Sequence, residues 1–213
     1  PHACPHISFL KIDIEGEIDS YHGVLDDYFR VHGGNKNNFF TDISNYISYE
    51  TGQPTHCYDS EKINGEVILD FFEQEYEFET LLGSKIKLVG KNLSFNQNNK
   101  IINLAGIIGG IDTSCSLDTK SVIVECAYFN PEEIIGKSIK YDITSDAAYK
   151  FERGVDPLCH ESTLRRFIQI VKEHCSIKNV ELFSEDYKSY QPVKIPFDVE
   201  HINRILGTFI DEI

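Results

Sequence analysis

The chain has no methionine and no tryptophan. Not even position 1 is methionine, so the sequence is expected to be cut from a longer product rather than to begin at a start codon. No apolar run approaches the roughly 18 residues of a membrane span. The opening Pro1-His-Ala-Cys-Pro-His6 lacks the basic, apolar and small-residue regions of a signal peptide. These absences predict a soluble, cytoplasmic protein with no membrane partner. The six cysteines (Cys4, Cys57, Cys115, Cys126, Cys159, Cys175) form no C-x-x-C pair, the arrangement that zinc ribbons and dithiol redox sites use. Three of them adjoin histidines, but adjacent side chains diverge on a strand or helix, so no metal site is expected and the thiols are read as reduced. Basic residues are also scarce, with 20 Lys and Arg against 34 Asp and Glu and a net charge of -14. Affinity for phosphate depends on clustered cations that release counterions, so this chain alone is not expected to hold a nucleic acid. The cations are least diluted between Lys137 and Lys172, where a solvated helix face is the default reading.

What is present is a globular composition. The 213 residues are 41% hydrophobic and 25% charged, enough to bury a core in one large domain or one domain plus a fragment. Alternation predicts strands at Ile7–Ile14, Val67–Phe72, Lys85–Val89 and Lys100–Leu104, and a β-branched strand at Ser121–Glu125 that brings Glu125 beside Cys126. Helices are predicted from Asp19 to Val31, stopped by Gly33-Gly34, and from a cap at Asp42 through Tyr49 to Gly52. After Gln53-Pro54 the chain is expected to turn, with His56 on a bend. Asn130-Pro131-Glu132-Glu133 reads as the clearest helix start, and Asp156-Pro157 as the opening of a longer helix carrying Leu164, Phe167, Ile168 and Val171 on one face. A strand is expected near Val180–Phe183. Beyond Pro192, a strand at Val193–Phe197 and a capped helix at Asp198–Gly207 are expected.

Five ordered blocks carry the functional signal: Asp42-Ile-Ser-Asn-Tyr46, Gly52-Gln-Pro-Thr-His-Cys-Tyr-Asp59, Ala105-Gly-Ile-Ile-Gly-Gly110, Val124-Glu-Cys126 and Ser145-Asp-Ala-Ala-Tyr-Lys-Phe-Glu-Arg-Gly-Val-Asp-Pro157. Together they resemble the B3/B4 region of the bacterial phenylalanyl-tRNA synthetase beta subunit, from about Cys4 to His174. The tail from Pro192 is similar to the start of the following B5 domain, through its I-N-R-x-L-G wording. Several positions depart from the family pattern: Ser44 and Ser145 stand for threonines, Ala148 for serine, Ile108 for methionine, Lys150 for arginine and Tyr58 for phenylalanine.

The resemblance implies an α+β fold of mixed sheets flanked by helices, with residues 1–190 as the editing domain and 191–213 as a truncated start of B5. It implies post-transfer editing, the hydrolysis of tyrosine mistakenly esterified to tRNA(Phe). Such a second sieve accepts only the larger, polar mistake, and needs a buried acceptor for its phenol. By resemblance Glu125 is that acceptor. His56, Ser44 and Asn45 are the expected catalytic group, orienting water or bonding the substrate's polar atoms. Ala105 and Gly106 would let the loop backbone approach the substrate, and Ser145 and Ala147 would close the far wall. The residues alone leave plainer readings open: Glu125 as an ion-paired strand-end carboxylate, His56 as a turn histidine, and the glycine loop as a sharp connection without the Lys-Ser/Thr of a phosphate loop. The implied partners are the alpha subunit in an α2β2 heterotetramer, tRNA(Phe) and tyrosine. No cofactor is expected in this chain, ATP and Mg2+ serving aminoacylation in the alpha subunit. A non-hydrolytic scaffold or tRNA-docking module is the rival reading.

Overall fold

The computed structural model describes residues 2–18, 20–191 and 193–211. Its first sheet has the order β10-β1-β9-β2, built from β1 (His6–Glu15), β2 (Thr55–Asp59), β9 (Ser121–Tyr128) and β10 (Ser176–Asp186), all antiparallel to their neighbours. The second sheet has the order β3-β6-β7-β8, from β3 (Val67–Phe72), β6 (Asn92–Gln97), β7 (Lys100–Leu104) and β8 (Ile108–Gly109). A separate hairpin pairs β4 (Tyr76–Glu79) with β5 (Lys85–Leu88). The helices are α1 (Gly23–His32), α2 (Phe39–Thr51), α3 (Pro131–Ile134), α4 (Lys137–Tyr141), α5 (Asp146–Phe151), α6 (His160–His174) and α7 (Val199–Leu206). The architecture is α+β, as expected.

Side-chain alternation explains the layering. On β9, Val122, Val124 and Cys126 join a core with Leu10 and Ile12 of β1, Phe40 and Ile43 of α2 and Phe167 and Ile170 of α6. The intervening Ile123 and Ala127 face a second core with Phe95, Leu104, Phe78 and Phe129. The first sheet therefore lies between a helical layer and the second sheet. Both faces of β9 are covered, which suits its run of β-branched residues. Glu125 lies between Ile123 and Ala127 and so points toward the second sheet, into the interior rather than to solvent.

Several expected boundaries move, each for a local reason. Residues 20–22 are not helical and α1 begins at Gly23; Asp19 lies outside the described residues. Tyr21 Oη donates to Asp42 at 2.8 Å and the His22 N–H to His174 at 3.2 Å, which ties this segment across α2 and α6. The cap of α2 is Asn38, whose side chain accepts from the Thr41 N–H, while Asp42 lies in the first turn and accepts from the Asn37 N–H. Asn130 stands at the expected N-cap of α3 but makes no side-chain cap bond; its amide nitrogen donates to the His2 carbonyl instead. Asp156 makes a turn with the Leu158 N–H, and α6 starts only at His160.

His56 is on β2, not on a bend, since β9 needs a partner from Thr55 onward. Residues 193–197 form no strand, and Val193, Ile195 and Phe197 are exposed. The helix after Asp198 is present, with Asp198 accepting from the His201 N–H and Gly207 closing it in the left-handed conformation. Among the described residues, no helix is long and apolar enough to cross a membrane.

Candidate functional site

A cavity of about 930 Å³ opens where α2, β2, the loop after β7 and the start of α5 meet. That volume falls in the range of small-molecule sites. Glu125 reaches it from β9. The carboxylate is 4% exposed and has no salt-bridge partner among the described residues. Its Oε2 accepts from Tyr58 Oη at 2.6 Å and from Asn103 Nδ2 at 3.3 Å. Its Oε1 receives no donor among the described residues, yet is not among the buried polar atoms sealed off without a partner. One oxygen is thus held by the protein while the other remains for a ligand. Burial pushes the carboxyl up to about 7, against the downward pull of the Tyr58 hydrogen bond.

His56 is directly opposite Glu125 in the β2–β9 register. The residue is half-buried, but its Nε2 is sealed and unpartnered. Desolvation lowers the imidazole to about 4, so the ring is neutral at physiological pH. It meets the Tyr58 ring edge-on, at 4.5 Å between centroids and 79° between planes. On its other side is Gly109, where a methyl group would collide with His56 Cε1 and lie 2.7 Å from its Nε2. The loop backbone therefore packs against the imidazole through a position where only hydrogen fits.

Residues 17–176 match the family of the B3/4 domain. The phenylalanine-tRNA ligase beta subunit of Francisella tularensis is 31% identical over 175 residues, covering 81% of this chain and 22% of that protein. That of Vibrio parahaemolyticus is 33% identical over 79% of this chain and 21% of its own length. The chain belongs to the phenylalanine-tRNA ligase beta-subunit family. It spans about a fifth of the length of these curated relatives. A solved N-terminal fragment of the phenylalanyl-tRNA synthetase beta subunit from Pyrococcus horikoshii aligns with 97% of this chain and 57% of its own, at 10% identity and a TM-score of 0.47.

Within this beta-subunit domain, His56, Ser44, Asn45, Glu125, Gly106, Ser145 and Ala147 all line the one cavity. Ala105 does not: it is buried in the core and its N–H donates to the Leu93 carbonyl. It opens the turn that follows β7, where the bond to Leu93 ties its backbone to β6 and its methyl joins the core. Asn45 is exposed at the mouth and makes no side-chain hydrogen bond among the described residues. Ser44 is committed internally, donating to the Thr55 carbonyl at 2.7 Å, with its oxygen 2.8 Å from Thr55 Oγ1. Gly106 has φ +68°, and a methyl there would lie 2.8 Å from Ile134 and 3.0 Å from Phe129. It is needed to turn the chain over the core, while the close approach to the cavity belongs to Gly109.

Ser145 links two walls of the site. Its hydroxyl donates to the Ile107 carbonyl at 2.6 Å and accepts from the Ala148 N–H at 3.1 Å, capping α5. Ser145→Ala is expected to cost about 1–2 kcal/mol in urea denaturation through loss of the cap. Ser145→Thr should keep the stability.

Tyr58 and Asn103 were outside the expected site. Tyr58 was visible in the sequence as a departure from the family's phenylalanine, but its contact with Glu125 spans 67 positions and needs the β2–β9 pairing to be seen. Asn103 comes from the opposite sheet, and no local signal marks it.

Proposed function

We propose that this domain hydrolyses tyrosyl-tRNA(Phe), acting as the second sieve of a phenylalanyl-tRNA synthetase. The observation that carries the reading is the buried Glu125 lining the cavity, with one oxygen held by Tyr58 and Asn103 and the other without a protein donor among the described residues. A tyrosyl ester can donate its phenol O–H to Oε1. A phenylalanyl ester would leave that acceptor desolvated and unpaired, at a cost of about 1–3 kcal/mol.

The reaction is addition of water to the ester carbonyl, collapse of the tetrahedral intermediate and departure of the tRNA 3′ oxygen, which takes up a proton. Tyrosine and free tRNA result. A neutral His56 has no proton to give as an imidazolium, so its part is to orient water or the ester through a ring nitrogen. Ser44 holds α2 to β2 through Thr55. Asn45, at the mouth, is available to the amino acid's polar groups or the terminal ribose. No serine or cysteine nucleophile is required.

In this reading the alpha subunit completes an α2β2 enzyme and carries aminoacylation with ATP and Mg2+. The tRNA is held mainly by surfaces outside this acidic chain, and the enzyme works in the cytoplasm. Residues 191–213 are the opening of the B5 domain, an assignment supported by the capped α7 with its Ile-Asn-Arg-Ile-Leu-Gly sequence.

The test is deacylation of tyrosyl-tRNA(Phe) by the complete synthetase containing this chain, beside Glu125→Ala and His56→Ala. Expected is rapid loss of tyrosine, sparing of phenylalanyl-tRNA(Phe), and a slowing of about tenfold or more in each variant. Equal, slow loss from all three enzymes would instead identify a scaffold.

A further inference from the structure

Tyr58, read above as standing where the resembling family has phenylalanine, touches Glu125 through the hydroxyl that a phenylalanine lacks. Tyr58 is 2% exposed and has a hydroxyl in a closed triangle: it donates to Glu125 Oε2 at 2.6 Å and accepts from Asn103 Nδ2 at 2.6 Å. Asn103, also buried, donates from the same nitrogen to Glu125 Oε2 at 3.3 Å. The two donors come from opposite sheets, β2 and β7, and both choose the same carboxylate oxygen.

We propose that Tyr58, held by Asn103, is a specificity-determining positioning residue that fixes the Glu125 carboxylate with Oε1 toward the cavity. The proposal rests on the editing reading above. A carboxylate free to rotate between burial sites would present either oxygen, or neither, to an incoming phenol. Two strand-borne donors on Oε2 remove that freedom. A phenylalanine at position 58 would fill the same space and leave Oε2 with Asn103 alone.

The same bonds set the charge state. The groups around Glu125 are His56 and Tyr58 on β2, Asn103 on β7, Cys4 near the chain's start, and Cys57 and Cys126 on the neighbouring strand positions. His56 is neutral, the thiols are pushed up by burial, and no Lys or Arg among the described residues pairs with the carboxylate. Hydrogen bonds to the charged form are thus what opposes desolvation here. A protonated, neutral acid loses less when it faces a phenyl ring than a bare carboxylate does. Discrimination therefore depends on the ionised form.

The experiment compares Tyr58→Phe with the parent and Glu125→Gln in the complete synthetase, reading kcat/KM for tyrosyl- and phenylalanyl-tRNA(Phe) deacylation across pH. In Tyr58→Phe, the midpoint of tyrosyl preference is expected to move up by about one pH unit, with about a fivefold fall at neutrality that alkaline buffer recovers. Glu125→Gln should give a flat profile. A Tyr58→Phe profile that superimposes on the parent's, or is lowered equally at every pH, overturns the proposal while the editing reading stands. A parent with no tyrosyl preference overturns both. If Tyr58→Phe does not fold, Asn103→Ser, which removes the amide donor, carries the same test: an upward shift supports the proposal and an unchanged midpoint overturns it.

Discussion

Glu125→Gln is expected to raise the stability of the chain in mildly alkaline solution by about 3 kcal/mol. Burial lifts the carboxyl from its ordinary 4.5 to about 7 in the folded state. The folded chain therefore holds this proton more tightly than the unfolded chain. Stability falls as pH rises from about 4.5 to about 7, and the full cost applies above that window. A glutamine keeps an oxygen for Tyr58 and Asn103 and carries no charge to desolvate.

The measurement is urea denaturation of parent and variant across pH. The two curves should converge below 4.5 and separate to the full difference above 7. His56 and His160, both held near 4 by burial, contribute the opposite slope, because the unfolded chain binds their protons first as pH falls from 6.5. In the variant the histidine contribution, a rise from about 4 to 6.5, should no longer be opposed by Glu125. A difference between parent and variant that is the same at acid and alkaline pH would mean the carboxylate's charge is not what destabilises the site. A more stable amide with poorer discrimination would be a direct exchange of stability for function.

Much of this arrangement was legible in the sequence, and the illegible parts have physical causes. Strands β3 and β7 appear at their expected bounds because apolar residues dominate them, and β1, marked by its alternation, runs one residue past the expected Ile7–Ile14 at each end. Strand β6 was not foreseen. Its Asn92 and Ser94 are fully buried, and Asn92 Oδ1 is satisfied by the Tyr141 hydroxyl, so hydropathy does not mark the strand. Pro54 suggested a bend at His56, whereas antiparallel pairing with β9 straightens the chain one residue later.

The site divides in the same way. Residues within the five motifs were readable because each motif is local, and all but Ala105 of those chosen reach the cavity. The contacts that hold Glu125 and His56 join distant strands. Tyr58 to Glu125 depends on β2 pairing with β9 across 67 positions, and Asn103 to Glu125 and Gly109 to His56 on two sheets meeting face to face, which no window along the chain contains.

Gly109→Ala is expected to lower tyrosyl-tRNA(Phe) hydrolysis by about a hundredfold or more while the fold survives. The backbone at 109 is not in the left-handed region, so an alanine there is strained by its surroundings alone. Its methyl would collide with His56 Cε1 and lie 2.7 Å from Nε2 and 3.1 Å from Leu81 Cδ2. The imidazole cannot retreat toward Tyr58, whose ring already meets it at 4.5 Å and whose hydroxyl is fixed on Glu125. It must swing into the cavity, where it takes the place of the water or ester it is meant to orient. Overpacking of this kind costs about 1–3 kcal/mol. The decisive comparison is a double-mutant cycle with His56→Ala, read by both deacylation and urea denaturation. With the ring removed, the methyl at 109 meets open space on that side, so Gly109→Ala should cost almost nothing further in stability or rate. Additive losses would show that the glycine acts through the loop's own backbone and not through the histidine it touches.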